Sequence, residues 1–323
     1  MRSSQIQDRD LFMKSHSNDL RVQGYQDVSG RSGSPCADPD EMRRWIEYLA
    51  LEIGPRPYYS PSLLRNVADR LAGNFKSLGY NVDEQLYYYR GEIYYNICAS
   101  PKAGKMEQGS MPLLVVGAHY DTVPHSPGAD DNASGIAGIM ELARLISKDP
   151  PPGVRLVAFA LEEPPVFRTR HMGSFVYASR LKSDKAHVRG MICLDMIGYF
   201  SDRPKSQSFP LFFMDRFYPD IGNFIALVGN TKSSKWTKEV IHAFSRGTDL
   251  PAERLNAPMI VVGVDFSDHW SFNHFGYPAL LVTDTAFYRN RNYHRPSDMP
   301  KTLDFHRTAK VIDGLAHAVR TLA

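Results

Sequence analysis

The feature that most restricts the fold is an alternation starting at residue 113: short apolar runs separated by longer segments of helical period. The runs are LLVVGA (113–118), VRLVAFA (154–160), MICL (191–194), FIALV (224–228), MIVV (259–262) and ALLV (279–282). Each is too short for a helix and shows little polar alternation, so each reads as a strand covered on both faces. The segments near 134–148, 172–182, 234–246 and 302–322 carry apolar residues at helical spacing. Strands joined through helices predict one α/β domain, a mixed and mostly parallel central sheet with helices on both faces. With 323 residues, 43% of them hydrophobic, the chain can bury one such core.

Upstream, Asp38 is followed by Pro39 and then Glu41, the pattern of an N-cap, a first-turn proline and an acidic partner. Met42, Trp45, Ile46, Leu49 and Ile53 then share one helical face, and Gly54-Pro55 stops the helix. A second helix carries Leu64, Val67, Ala68, Leu71, Phe75 and Leu78 and ends at Gly79. Gln85–Arg90 and Ile93–Ala99 read as strands; their tyrosines suit strand surfaces. Residues 1–37 are polar and without period, which predicts a mobile tail before a domain over 38–323. The stretch 199–222, rich in proline, glycine and aromatics, reads as a long loop over one end of the sheet, and no internal repeat is visible.

Charge excludes some partners. A formal net charge of +3, with 38 basic residues scattered among 35 acidic ones, forms no basic run interleaved with aromatics. Nucleic acid is therefore not an expected partner. The three cysteines, Cys36, Cys98 and Cys193, have no CxxC spacing and cannot make a complete disulfide framework, which fits a reducing compartment. The first twenty residues hold no apolar h-region or small-residue cleavage site, so a secretory signal is not expected here. A cytoplasmic location is favoured, an exported form stays open, and no apolar run approaches the ~18 residues of a membrane span.

Five places put acids or imidazoles just after a buried run or in a loop beyond one. In an open parallel sheet such positions converge outside the carboxyl ends of the strands. His119, in GAHYDT, can ligate a metal while Asp121 holds its other ring nitrogen; a capped turn accounts equally for both. GADDNASG (128–135) opens a helix, and its two acids plus an amide exceed what a cap needs. Glu162 and Glu163 close a strand of apolar residues, where desolvated charges need partners. Strand alternation should point the two apart, one toward a metal and one toward a water. Asp195 lies in CLDMIG and His294 in NYHRPSD. Together they offer two histidines and several carboxylates, a donor set suited to zinc.

GAHYDT, GADDNASG, ALEEP, LDMIGY and NYHRPSD resemble, in order and spacing, the metal motifs of the bacterial-type M28 metallopeptidases, zinc aminopeptidases among them. GPRP (54–57), GSFVYA (173–178) and SDHWSF (267–272) strengthen the likeness, which covers residues 39–322. The resemblance implies the zinc-dependent exopeptidase type of α/β fold (phosphorylase/hydrolase-like) and two zinc ions. It assigns His119 and Asp195 to one ion, Glu163 and His294 to the other, and Asp131 as the bridge. It makes Glu162 the general base, Asp121 the partner of His119, and Tyr293 a candidate stabiliser of the oxyanion. The expected substrate is a peptide or small amide with a free N-terminus.

Three other readings compete. M20-type deacylases and carboxypeptidases share a segment like GAHYDTVP but continue differently. Glutaminyl-peptide cyclotransferases share the fold with one zinc and fewer ligands. Some family members are binding domains, marked by lost ligands, and none is lost here. Arg168, Arg170, His171, Asp268 and His269 are candidates to line the substrate pocket or to lie outside it, and the loop 199–222 is a candidate lid.

Overall fold

The computed structural model describes residues 36–102 and 111–323. The tail expected over 1–37 lies outside them except for its last two residues, which are held. The Cys36 carbonyl accepts from Arg144 Nη2, and the Ala37 N–H donates to Asp313 Oδ1 at 2.8 Å.

Helix α1 (Pro39–Glu47) starts where Asp38 accepts from the Asp40 N–H, with Pro39 in the first turn. It widens over Tyr48–Ile53 and ends at Gly54, whose φ of 80° suits glycine. Helix α2 (Pro61–Ser77) buries the expected face from Leu64 to Phe75. The strands follow as β1 (Asn81–Tyr89), β2 (Glu92–Ser100), β3 (Leu113–His119), β4 (Val154–Phe159), β5 (Val188–Leu194), β6 (Ile225–Asn230), β7 (Ala252–Ala257) and β8 (Ala279–Thr283). Between and after them run α3 (Gly135–Ile146), α4 (Gly173–Ser183), α5 (Ser234–Phe244), α6 (His269–His274) and α7 (Phe305–Leu322).

One eight-stranded sheet results, ordered β1-β2-β4-β3-β5-β8-β6-β7. Its centre, β4-β3-β5-β8, is parallel throughout, so these four strands end at one edge. The β1–β2 hairpin adds antiparallel to β4, and β6 runs antiparallel to β8 and parallel to β7. Alternation along the central strands feeds two cores. Leu114, Val116, Leu156, Ile192 and Leu280 pack with α1, α2, α3, α5 and α7; Val115, Val157, Met191, Cys193 and Leu281 pack with α4 and α6. No described helix is long and apolar enough to cross a membrane.

One expected strand is absent. MIVV (259–262) forms turns, with Met259, Ile260 and Val262 exposed. The sheet edge is built instead from AERLNA, the half-buried β7 just upstream. An edge strand buries little surface, so its sequence need not be apolar, and apolarity misidentified its neighbour. The loop 199–222 is a loop as expected, with one 3₁₀ turn at Met214–Arg216.

Candidate active site

The parallel strands deliver the predicted residues to one edge. His119 ends β3, and Asp195 directly follows β5. Glu162 and Glu163 lie just past β4, and His294 lies in the loop after β8. Asp131 sits in the wide turn Ala129–Ser134 that leads into α3. Backbone there is unusual: Leu161, Met196 and His294 have φ of 58°, 53° and 57°, a region costly for side-chain-bearing residues and concentrated at functional sites. Gly128, at φ 62°, is tightly held, because a Cβ there would meet the Asp131 carbonyl oxygen.

The predicted ligands converge on Asp131. His119 Nε2 lies 3.5 Å from Asp131 Oδ1 and 3.7 Å from Asp195 Oδ2. On the other side His294 Nε2 is 3.2 Å from Asp131 Oδ2 and 3.2 Å from Glu163 Oε2. Thus one oxygen of Asp131 faces each histidine. The donor atoms of His119, Asp131 and Asp195, and those of Asp131, Glu163 and His294, each lie within 4.8 Å of one another. Glu162 joins a third such group with His119 and Glu163.

Buried polar groups hold these side chains. His119 Nδ1 is 3.2 Å from the Asp121 carbonyl and 3.4 Å from its carboxylate, which turns Nε2 toward the other candidate ligands. The two Asp121 oxygens also accept from the Glu162 and Glu163 backbone N–H groups at 2.9 and 3.1 Å. Asp121 therefore positions three site residues at once. Asp298 does the same for the acidic turn, accepting from the Asp130 and Asp131 N–H groups at 3.0 and 3.1 Å. Asn132 Oδ1 accepts from the Gly135 and Met196 N–H groups, tying the turn to the strand end that carries Asp195. Tyr293 stacks on His294 with ring centroids 3.8 Å apart.

The electrostatics show a cluster short of positive charge. Burial raises the Glu162 and Asp195 carboxyls, and burial together with Asp131 holds Glu163 at about 7. Burial opposes charge on both histidines, yet hydrogen bonds to the carboxylates outweigh it: His119 is raised, and His294 is pushed up to about 10. His119 Nε2, Asp131 Oδ2 and Glu163 Oε1 are buried without a hydrogen-bond partner. Buried donors and carboxylates aimed at a common point without partners are what a divalent cation satisfies.

Several residues that hold the site had no assigned role in the sequence reading. Arg56, fully buried in GPRP, donates to five carbonyls: Leu49, Gly54, Tyr120, Pro127 and Gly128. It links the end of the first helix to the loop after β3 and to the chain just before Asp130. Asn290 donates to Asp130 Oδ2 at 2.7 Å, and Arg289 Nε to Gln207 Oε1 at 2.8 Å, anchoring the loop 199–222. Arg289 and Asn290 lie outside every motif, and their partners are remote in sequence. Arg56 lies in GPRP and Asp298 ends NYHRPSD, so these two sat inside motifs without an assigned role.

Beside the donors opens a cavity of about 270 Å³. Phe224 just before β6, Ala226 and Val228 of β6, and Leu281 and Thr283 of β8 line it. The loop 199–222 supplies Gln207, Phe209 and Met214 to its wall, and Tyr293 stands beside the donors. Arg168, Arg170, His171, Asp268 and His269 are not among the lining residues. Arg168 pairs with Asp265, Arg170 Nε lies 3.3 Å from His171 Nε2, the His171 ring lies against Tyr89, and Asp268 and His269 are buried.

Comparison with known proteins agrees with this architecture. The YfbL protein of Escherichia coli (strain K12) is 40% identical over 290 residues, covering 86% of this chain and 87% of its own. The zinc aminopeptidase BSAP from Bacillus subtilis superposes with a TM-score of 0.70 at 16% identity, covering 90% of this chain and 96% of its own. A glutaminyl cyclase from Bacteroides thetaiotaomicron superposes with a TM-score of 0.66 at 19% identity, covering 89% and 99%. These two structures share the fold. The model of peptidase family M28 matches residues 103–319, the span that holds all five candidate ligands, and a metallopeptidase of family M28 is what this chain is.

Proposed function

We propose that the chain is an aminopeptidase that carries two zinc ions and removes N-terminal residues from peptides. The observation that carries the reading is the pair of donor groups sharing Asp131, one carboxylate oxygen toward each histidine, with orphaned buried atoms pointing between them. The donor set of imidazole and carboxylate fits zinc. His119 and Asp195 would hold one ion, Glu163 and His294 the other, and Asp131 would bridge.

Bound zinc supplies the Lewis acidity that activates a water and polarises the scissile carbonyl. Glu162 accepts the proton of that water as its oxygen attacks the carbonyl carbon, and delivers it to the amine when the C–N bond breaks. Burial raises its carboxyl well above the ordinary range, as suits a group that takes up a proton during the reaction. Asp121 keeps His119 and both glutamate backbones in place through that exchange. Tyr293, stacked on His294 beside the cavity, is the candidate donor to the oxyanion. The site carboxylates lining the cavity attract the substrate's free ammonium, and the apolar part of the cavity receives an apolar N-terminal side chain.

Metal analysis with an aminoacyl-anilide scan tests this. Expected are about two zinc ions per chain and chelator-sensitive hydrolysis of anilides with large apolar side chains. One ion per chain with cyclisation of N-terminal glutamine would assign the chain to the cyclotransferase type. Full activity after exhaustive chelation would remove the metal from the mechanism.

A further inference from the structure

We propose that the turn over residues 258–264, with Met259 and Ile260 at its tip, receives an apolar residue on the leaving side of a peptide substrate. The inference rests on the aminopeptidase reading and adds to it a preference beyond the scissile bond. Ile260 is 89% exposed and Met259 54%. Val262, Phe266 and Phe287 are 51%, 37% and 38% exposed while also lining the cavity that holds the donor residues. They are therefore its lip, and Met259 and Ile260 lie three and two residues before Val262 on the same turn.

The turn is a built platform. The Val261 and Val264 N–H groups donate back to the Pro258 and Val261 carbonyls, and the Tyr288 hydroxyl donates to the Val262 carbonyl at 3.2 Å. His269 Nε2 lies 2.8 Å from the Val264 carbonyl, and Arg168 pairs with Asp265 while covering the Phe266 ring at 5.0 Å. A frame fixed this way presents its apolar side chains at low ordering cost to whatever binds. Burial in the fold does not explain the apolar run MIVV, because three of its four side chains face solvent. An exposed apolar patch that continues into a binding cavity marks a contact surface. In an aminopeptidase the first residue fills the cavity, and the rest of the chain must leave across the lip. Only that outgoing part reaches Ile260. A second copy of this chain on the same surface would cover the mouth, so it is the competing occupant.

The test compares the tripeptides Leu-Phe-Ala and Leu-Ser-Ala, with leucine anilide as a substrate that has no second residue. Expected is a preference for Leu-Phe-Ala of about tenfold in kcat/KM, carried by KM, from burying one large apolar side chain. Ile260→Ser should cut the preference to about twofold or less, and Met259→Ser should reduce it in the same direction. Both positions are exposed, so the variants fold. Equal kcat/KM for the tripeptides, a preference carried by kcat, or one that survives both substitutions overturns the inference while leucine anilide is still cleaved. Self-association abolished by Ile260→Ser, with equal tripeptides, assigns the surface to a second copy. No cleavage of any anilide overturns the proposed function itself.

Discussion

Glu162 and Glu163 are adjacent and chemically identical, yet their surroundings differ enough to separate their roles by substitution. Glu163 Oε2 lies 3.2 Å from His294 Nε2, and its Oε1 is buried without a partner. The Glu162 carboxylate accepts no hydrogen bond among the described residues, while both backbones are clamped by Asp121. Glu162→Gln keeps shape and clamp and removes only the basic oxygen. Losing a general base costs about 10²- to 10⁴-fold in kcat, about 3–5 kcal/mol of barrier, with zinc content kept. Glu163→Gln weakens one ligand group instead, so zinc per chain falls, and excess zinc restores part of the activity. Metal content and kcat on leucine anilide, measured side by side, decide the matter. Zinc lost in Glu162→Gln but kept in Glu163→Gln would show the roles reversed. Near-normal turnover in both would remove the pair from the mechanism.

Arg56→Met should cost about 3–5 kcal/mol in denaturant unfolding, because five carbonyls, in three buried and two half-buried bonds, lose a charged donor; a loss under about 1 kcal/mol would contradict the hub reading. Ala226→Leu adds bulk to the cavity floor and should lower kcat/KM for phenylalanine anilide relative to alanine anilide by about 10- to 200-fold; an unchanged ratio would place the substrate's side chain elsewhere. Burial lowers His269 to about 4, so the unfolded chain takes up its proton first as pH falls. Its contribution is complete above about 6.5 and is lost between about 6.5 and about 4, about 3 kcal/mol in all. His269→Gln should flatten the stability–pH curve over that window, and parallel curves would refute the assignment.

The sequence by itself determined the elements whose signals are local. Apolar runs between helical segments specified β3, β4, β5, β6 and β8, and capping chemistry specified the start of α1. The ligand candidates were legible because each follows a strand, and parallel strands ending at one edge leave their following residues close together. Family resemblance then assigned each residue a role.

Tertiary structure alone decided the rest. Whether MIVV or AERLNA formed the sheet edge depended on how much surface the edge buries, which no local pattern encodes. The cavity beside the donors formed only where β6, β8 and the loop 199–222, far apart in sequence, came together. Arg56, Asp298 and Asn132 gained their work from carbonyls and N–H groups brought together across long sequence separations. A hydrogen bond between remote segments leaves no periodicity in the chain. It exists only once the sheet has gathered its strand ends, so the candidate ligands were legible in the sequence while most of the groups that aim them were not.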